Sequence, residues 1–349
     1  ASSSTPSSES GDCPPPPPEA GPLPVLVLGA GLSGLAAARE CQKRGYNFLL
    51  VDKQQNLGGC WTSFGNRTSK LQSDSGSYDV EMDQPHSLSS YPSKDELMAY
   101  VRHWYDRNSL GQNALFGTEL LSMVPEGNGT SYTACIAEGP SQRSLRVRAL
   151  LAAPGRLRQP VRKTLEGEDV FQGDISYGIS DDFPTTSLQG KEVVVLGHGS
   201  FAIESMRTCL ESGAAKVTLL CRTRNLVLPR AVRLAVSRTL STEQLPMKEV
   251  LDLCGPAYEL LGMDCRSLAT VSVSRDGTVS LQQTQPPVSD LYFLAQSCGK
   301  LEVLIDTVSH LTPTAVCAKS TQRHVAASAL FKCFGFESAD PHFDKVLGL

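Results

Sequence analysis

The sequence predicts an α/β protein with two parallel-sheet domains, and this prediction rests on three observations. An apolar run at Val25–Leu28 leads directly into glycines with G-x-G-x-x-G spacing, and a similar run and turn return at Val193–Ala202. Each turn is followed by a helix-forming stretch and then by another apolar run. The order of strand, tight glycine turn, helix and strand is typical of Rossmann-like units, which bind dinucleotides.

The first glycine turn has a residue for each requirement of a bound pyrophosphate. Gly29 permits the sharp bend, Gly31 lacks the Cβ that would hold the phosphates away, and Gly34 lets the helix pack close to the strand. The N–H groups and the positive dipole end at the start of that helix then receive the anion. Ala30 and Ser33 belong to the same turn and are further candidate binding residues.

A carboxylate ends the next predicted strand. Phe48–Val51 is apolar throughout, and Asp52 follows it about 20 residues after the turn, where a carboxylate can accept both ribose hydroxyls. The same negative charge would repel a 2′-phosphate, so the first site favours FAD or NAD over NADP. Lys53 directly follows Asp52 and is also a candidate cofactor-binding residue.

The sequence Gly-Gly-Cys-Trp at 58–61 suits a loop that lies against a flat ring system. Gly59 and Trp61 are therefore candidate cofactor-binding residues. An ordinary turn with a buried tryptophan explains the same residues equally well.

The second glycine turn leads to basic residues instead of an acidic one. The predicted strand Lys216–Cys221 is followed by Arg222 and Arg224, whose guanidinium groups can fork onto a 2′-phosphate. The second site should therefore prefer NADP(H), although a solvated basic turn is an alternative interpretation of the two arginines. The candidate binding residues of the turn itself are Gly197, Gly199, Ser200 and Ala202, the last in the third glycine position.

Composition limits the classes of function. The 349 residues are 40% hydrophobic and 19% charged, which suits two domains with substantial cores. A net charge of −4 gives no electrostatic case for nucleic acid, and no apolar run reaches the roughly 20 residues of a membrane span. The eleven cysteines lack C-x-x-C or Cys/His spacing, which predicts no metal site, no disulfide framework, reduced thiols and a cytoplasmic protein.

The fold prediction is two Rossmann-like dinucleotide-binding domains of the FAD/NAD(P)-binding type, the second inserted in the first. Residues 1–22 are rich in Ser and Pro and should form a disordered tail. Residues 23–156 should form the FAD-binding domain, and 157–333 the NADPH-binding domain. Residues 334–349 should return to the first domain without completing it.

At these residues the chain resembles the flavin-containing monooxygenases and their Baeyer–Villiger relatives. The resemblance runs from about Leu23 to Phe336. It is carried by both glycine turns, by the Gly-Gly-Cys-Trp sequence and by Tyr91-Pro92-Ser93, and more weakly by the sequences at 153–155 and 334–336.

The resemblance implies an FAD- and NADPH-dependent monooxygenase. Such an enzyme oxygenates a small molecule at nitrogen, sulfur or a ketone with molecular oxygen, through a C4a-(hydro)peroxyflavin. It also implies an asparagine near the flavin, for which Asn66 is the nearest candidate catalytic residue. A loop asparagine in a turn with Gly65 is the equally good alternative.

Two departures from the family pattern keep other interpretations open. Phe171 and Gly173 match the family sequence F-x-G-x-x-x-H, but Tyr177 stands where the histidine belongs. The family chain also continues beyond its second hinge, so either this sequence is incomplete or the protein is a shortened relative. A degenerate nucleotide-binding protein without turnover therefore remains an alternative. A flavin-dependent disulfide reductase is another, although no redox C-x-x-C pair is present.

Overall fold

The protein forms two compact units. The computed structural model describes residues 13–16, 23–78, 88–127, 129–157, 159–180, 188–237, 245–282, 285–337 and 346. The first unit comprises 1–63, 101–158 and 338–349, and the second comprises 64–100 and 159–337. The second unit is inserted in the first, as predicted, but residues 64–100 join the second unit and not the first.

The first unit begins with the predicted strand, turn, helix and strand. Its elements are β1 (Val25–Leu28), α1 (Leu32–Lys43), β2 (Phe48–Asp52), α2 (Cys60–Ser63), α3 (Lys94–Arg107, which begins in the second unit), β3 (Ala114–Phe116), β4 (Thr118–Pro125), β5 (Tyr132–Glu138), β6 (Ser141–Val147) and β7 (Ala149–Ala152).

A four-stranded parallel sheet with the order β3-β2-β1-β7 organises the first unit. Leu26 and Val27 of its central strand are fully buried, which is why β1 is apolar throughout and does not alternate. An antiparallel sheet, β4-β5-β6, contributes Leu120 and Ile136 to the same core cluster. Val346 also joins this cluster.

Helix α1 can pack closely on the sheet because Gly34 has no side chain. Gly34 is buried together with Leu35, Ala38 and Cys41, which share one helical face. A Cβ on Gly34 would overlap the carbonyl oxygen of Gly29.

We expect Gly34→Ala to lower the free energy of unfolding by about 2 kcal/mol or more, because backbone atoms must move to admit the methyl group. Urea unfolding of the variant measures this loss. Gly255→Ala in the second unit is the matched control, since a Cβ there meets nothing within 4 Å. The control should unfold at the same or a higher urea concentration; equal losses in both variants would contradict the packing explanation.

A disulfide corrects the prediction that all cysteines are reduced. Cys13 and Cys135 are bonded in the first unit, although they are separated by 122 residues. Cys13 lies in the tail that was expected to be disordered; residues 1–12 and 17–22 of that tail lie outside the described residues. Spacing alone could not reveal the bond, because the fold brings the two cysteines together. The bond also removes one basis of the predicted cytoplasmic location.

The second unit repeats the order strand, glycine turn, helix and strand. Its elements are β8 (Asp174–Ser176), β9 (Glu192–Leu196), α4 (Ser200–Glu211), β10 (Lys216–Cys221), α5 (Arg230–Ser237), α6 (Met247–Glu259), β11 (Val271–Val273), β12 (Val279–Leu281), α7 (Asp290–Ser297), β13 (Leu301–Ile305), β14 (Val308–Thr312), β15 (Ala315–Ala318), β16 (His324–Ala326) and β17 (Ala329–Lys332).

The parallel sheet of the second unit has the order β13-β10-β9-β17-β8. Apart from the extra edge strand β8, this is the order of the first sheet. One face carries a core cluster with helices α4, α6 and α7, and the other packs against residues of the antiparallel sheet β14-β15-β16. The predicted α/β class and both parallel sheets are therefore confirmed.

Residues 64–74 belong to the second unit because they are bonded along α4. The backbone N–H of Lys70 donates to Glu204 Oε1 over 2.8 Å, and Gln72 Nε2 donates to the carbonyl of Ser200 over 2.8 Å. Buried Arg207 donates to the carbonyl of Thr68 over 2.6 Å and also pairs with Glu204. The three bonds between residues 68–72 and α4 join residues more than 120 positions apart, so the local sequence predicts this segment in the first domain.

Within the described residues, no helix has the length and apolar content needed to cross a bilayer.

Candidate functional site

The first glycine turn lies where the strand order of its sheet reverses. Gly29 has a φ of 99°, and its N–H donates to the carbonyl of Val51 over 2.8 Å. A Cβ on Gly29 would overlap the carbonyl oxygen of Ala153, just after β7. The turn therefore sits between the ends of β2 and β7, the position at which open parallel sheets bind their ligands.

Asp52 points into this crevice. Its side chain is buried, and its Oδ2 accepts the backbone N–H of Ala30 over 2.5 Å while Oδ1 accepts that of Gln54 over 2.8 Å. These two bonds fix the carboxylate at the end of β2 and beside the glycine turn. Each carboxylate oxygen can accept more than one hydrogen bond, so both can still serve ribose hydroxyls.

The Gly-Gly pair packs on the glycine turn itself. The N–H of Gly58 donates to the carbonyl of Ala30 over 2.9 Å, and a Cβ on Gly59 would lie 2.9 Å from the Cα of Gly31. The loop and the turn therefore approach each other backbone to backbone. Trp61 is half-buried on the short helix α2.

The start of α1 is suited to an anion. Gly31 is the N-cap residue and no side chain caps the helix, so the first N–H groups point to the crevice without a helical acceptor. Ser33 and Lys53 are exposed beside the turn. The missing Cβ of Gly31, these N–H groups and the acceptor oxygens of Asp52 together fit the pyrophosphate and ribose of a dinucleotide such as FAD.

The second glycine turn repeats this arrangement. Gly197 has a φ of 112°, and its N–H donates to the carbonyl of Leu220 over 2.9 Å. A Cβ on Gly197 would lie 2.7 Å from the carbonyl oxygen of Cys333, just after β17. Gly199 is the N-cap residue of α4, again without a side-chain cap. Ala202 is buried in the third glycine position, so a methyl group fits there.

The two predicted phosphate-binding arginines differ in their surroundings. Arg222 is exposed just after β10. Arg224 is half-buried, and its guanidinium contacts the sulfur of Met263 and, over 3.5 Å, the carbonyl of Val303. Of the two guanidinium groups, that of Arg222 is the more exposed.

His198, between the two glycines of the second turn, was not predicted as a site residue. It is buried; the N–H of Asn225 donates to its Nδ1 over 3.2 Å, and its Nε2 lies 3.1 Å from the hydroxyl of Tyr292. Burial, and secondarily the charge of Arg224, lowers the pKa of His198 to about 4. No sequence signal marks it, because the motif admits any residue at this position.

The lowered pKa predicts that acid destabilises the protein. The unfolded chain binds a proton at His198 near pH 6.5, but the folded chain does so only near pH 4, so the unfolding free energy falls as the pH drops through this window. The loss should reach ~3 kcal/mol at pH 4. Urea unfolding between pH 7 and pH 4 measures it, and His198→Asn should remove this component. An unchanged pH dependence in that variant would contradict the assignment.

Asn66 is buried in a turn of the second unit. Its Oδ1 accepts the N–H and the hydroxyl of Thr68 over 2.8 and 2.7 Å, and its Nδ2 donates to the carbonyl of Gly178 over 3.3 Å. The side chain thus closes a turn with Thr68. One N–H of its amide group can still serve a ligand.

Tyr177, in the position of the family histidine, lies between two cations. The guanidinium carbon of Arg162 and the Nζ of Lys332 are each 4.5 Å from the centroid of its ring. Lys332 is buried, and it also donates to Glu168 over 2.6 Å and to the carbonyl of Lys163 over 2.9 Å. The tyrosine therefore anchors residues 162–168 to the end of β17.

Both parallel sheets have the same strand order, and each carries a glycine turn where that order reverses. The chain therefore has two dinucleotide-binding folds. A family model described as an NAD(P)-binding Rossmann-like domain matches residues 27–103. The crystal structure of OTEMO in complex with FAD and NADP has a TM-score of 0.67 and 15% identity. The match covers 93% of this chain and 72% of that chain.

The similar curated proteins include monooxygenases. The chain is 25% identical over 206 residues to the uncharacterized monooxygenase y4iD of Sinorhizobium fredii. It is 23% identical over 203 residues to the FAD-containing monooxygenase EthA of Mycolicibacterium smegmatis. These matches cover 59% and 57% of this chain, but only 31% and 41% of the two relatives. The predicted resemblance is confirmed in sequence: the chain is similar to these monooxygenases over rather more than half of its length.

Proposed function

We propose that this protein is an FAD- and NADPH-dependent monooxygenase that acts on a small molecule with molecular oxygen. The observation that carries the proposal is the contrast between its two crevices. In one, Asp52 is held beside a glycine turn; in the other, the exposed Arg222 follows the corresponding strand. A carboxylate suits an unphosphorylated ribose, whereas a guanidinium suits a 2′-phosphate.

The first crevice would hold FAD. The N–H groups at the start of α1 bind its pyrophosphate, Asp52 accepts from its ribose, and the backbones of Gly31 and Gly59 leave room for close approach. When bound, the flavin supplies the redox and oxygen chemistry, and the protein supplies position and exclusion of water.

The second crevice would hold NADPH. Gly199 and Ser200 at the start of α4 receive the pyrophosphate, and Arg222 forms charge-assisted hydrogen bonds with the 2′-phosphate. We also propose that the remaining N–H of Asn66 assists near the flavin. Nitrogen, sulfur or ketone oxygenation would all suit this cofactor pair.

The experiment that tests this function begins with the colour of the purified protein. We expect it to be yellow, or to become yellow on reconstitution with FAD, and to oxidise NADPH faster when a ketone, amine or thioether substrate is added. A colourless protein that cannot be reconstituted would contradict the proposal.

A nucleotide-binding protein without turnover is the second candidate, and the environment of Tyr177 favours it. Its ring lies against Arg162 and Lys332, and a phenol lacks the two ring nitrogens with which a histidine can accept and donate at once. Rapid mixing of the reduced flavoprotein with oxygen separates the two candidates. An active enzyme should form a transient oxygen adduct with its own absorbance, whereas an inactive relative should reoxidise without one.

A further inference from the structure

Three hydrogen bonds of His198 join parts of the second unit that are distant in sequence. The N–H of Asn225 donates to His198 Nδ1 over 3.2 Å, and the side-chain Nδ2 of Asn225 donates to the His198 carbonyl over 3.0 Å. On the other side of the ring, Nε2 lies 3.1 Å from the hydroxyl of Tyr292. The first two bonds connect the second glycine turn directly to the loop after β10.

The hydrogen-bond partners define the state of the imidazole. A backbone N–H can only donate, so Nδ1 must accept and the neutral ring carries its proton on Nε2, from which it donates to Tyr292. Arg224 is the charged group that acts on the ring, and it disfavours a second proton. Protonation of Nδ1 would remove the acceptor for the N–H of Asn225 and leave only the bond from Asn225 Nδ2 to the His198 carbonyl.

Tyr292 makes this connection rigid. Its side chain is fully buried, its ring meets that of His198 edge-on at 5.4 Å, and it packs against Phe293 at 5.2 Å. It lies on α7, whose N-cap Ser289 accepts the N–H of Tyr292. His198 is therefore anchored to a helix of the core and not only to a loop.

The loop that His198 holds carries Arg222 three residues before Asn225. In the proposed function, the glycine turn receives the pyrophosphate of NADPH and Arg222 receives the 2′-phosphate of the same molecule. The separation of turn and loop must therefore match the separation of those phosphates, and small displacements of such groups have large effects on binding.

We propose that His198 is a positioning residue that fixes the loop of Arg222 relative to the second glycine turn, and that it thereby sets the preference for a 2′-phosphorylated dinucleotide. This inference rests on the proposed function of the second crevice. In this inference, coenzyme specificity depends on His198 as well as on Arg222, although His198 is uncharged and does not contact the 2′-phosphate.

Binding of two adenosine fragments tests the inference. The probes are 2′,5′-ADP, which carries the 2′-phosphate, and 5′-AMP, which lacks it; their affinities are measured by calorimetry on the full chain with FAD. We expect the wild type to prefer 2′,5′-ADP. In His198→Ala the affinity for 2′,5′-ADP should fall by about tenfold, because one hydrogen bond that positions the loop of Arg222 is lost. The affinity for 5′-AMP should change little.

Two further variants keep the test decisive if His198→Ala folds poorly. His198→Asn can retain an acceptor near the N–H of Asn225 and should restore much of the preference. Tyr292→Phe keeps the buried ring but removes the hydroxyl, and should lower the preference less than His198→Ala does. Wild-type preference in a folded His198→Ala, or in Tyr292→Phe where His198→Ala does not fold, would overturn the inference alone. A wild type that does not distinguish the probes would overturn the proposed function, and the inference with it.

Discussion

Asp52→Asn is expected to yield a protein that loses its FAD. The carboxylate accepts two backbone N–H groups, one on each oxygen, from Ala30 and Gln54. An amide has only one oxygen, so its NH2 group would face one of these donors, at a cost of ~1–3 kcal/mol. The ribose hydroxyls would also lose a charged acceptor, and together these effects predict an FAD affinity about 100-fold weaker.

The measurement is the dissociation constant of FAD, with the flavin content of the purified variant as a first indication. Asp306→Asn is a matched control in the second unit, because buried Asp306 also accepts backbone N–H groups, from Ser320 and Thr321. The control should lose stability but keep its flavin. Equal loss of FAD from both variants would show that unfolding, and not the ribose contact, explains the result.

Arg222→Ser is expected to reverse the coenzyme preference. Removal of the guanidinium eliminates the charge-assisted hydrogen bonds to the 2′-phosphate, each worth roughly 1.5–3 kcal/mol. The value of kcat/KM for NADPH should fall about 100-fold, while that for NADH, which lacks the phosphate, should change little.

Steady-state kinetics with both coenzymes measure this change. Arg275→Ser is the control, since Arg275 is likewise exposed but lies in the turn between β11 and β12. The control should behave as the wild type. A parallel fall for NADPH and NADH in Arg222→Ser would contradict a role specific to the phosphate.

Local sequence predicted the parallel sheets because their strands are buried on both faces. The apolar runs at 25–28, 48–51 and 193–196 became the parallel strands β1, β2 and β9. The glycines at the first positions of the two turns were equally informative, since Gly29 and Gly197 adopt the left-handed φ values that such turns require. The buried strands and the glycine turns depend on residues that are adjacent in the chain, so the sequence alone predicts them.

Long-range partners account for what the sequence could not predict. His198 bonds to residues 27 and 94 positions away, and nothing in its neighbours distinguishes it from a solvent-exposed turn residue. Arg224 looked equivalent to Arg222, but the fold places Met263 beside its guanidinium. The Cys13–Cys135 disulfide and the assignment of residues 64–100 to the second unit depend likewise on tertiary contacts.

Anaerobic mixing of the FAD-loaded protein with NADPH tests most directly whether NADPH reduces the flavin of this chain. We expect the flavin absorbance to bleach in a single turnover with NADPH, and far more slowly with the same concentration of NADH. Flavin that stays oxidised while calorimetry shows NADPH bound to the same protein would contradict the proposed FAD- and NADPH-dependent function.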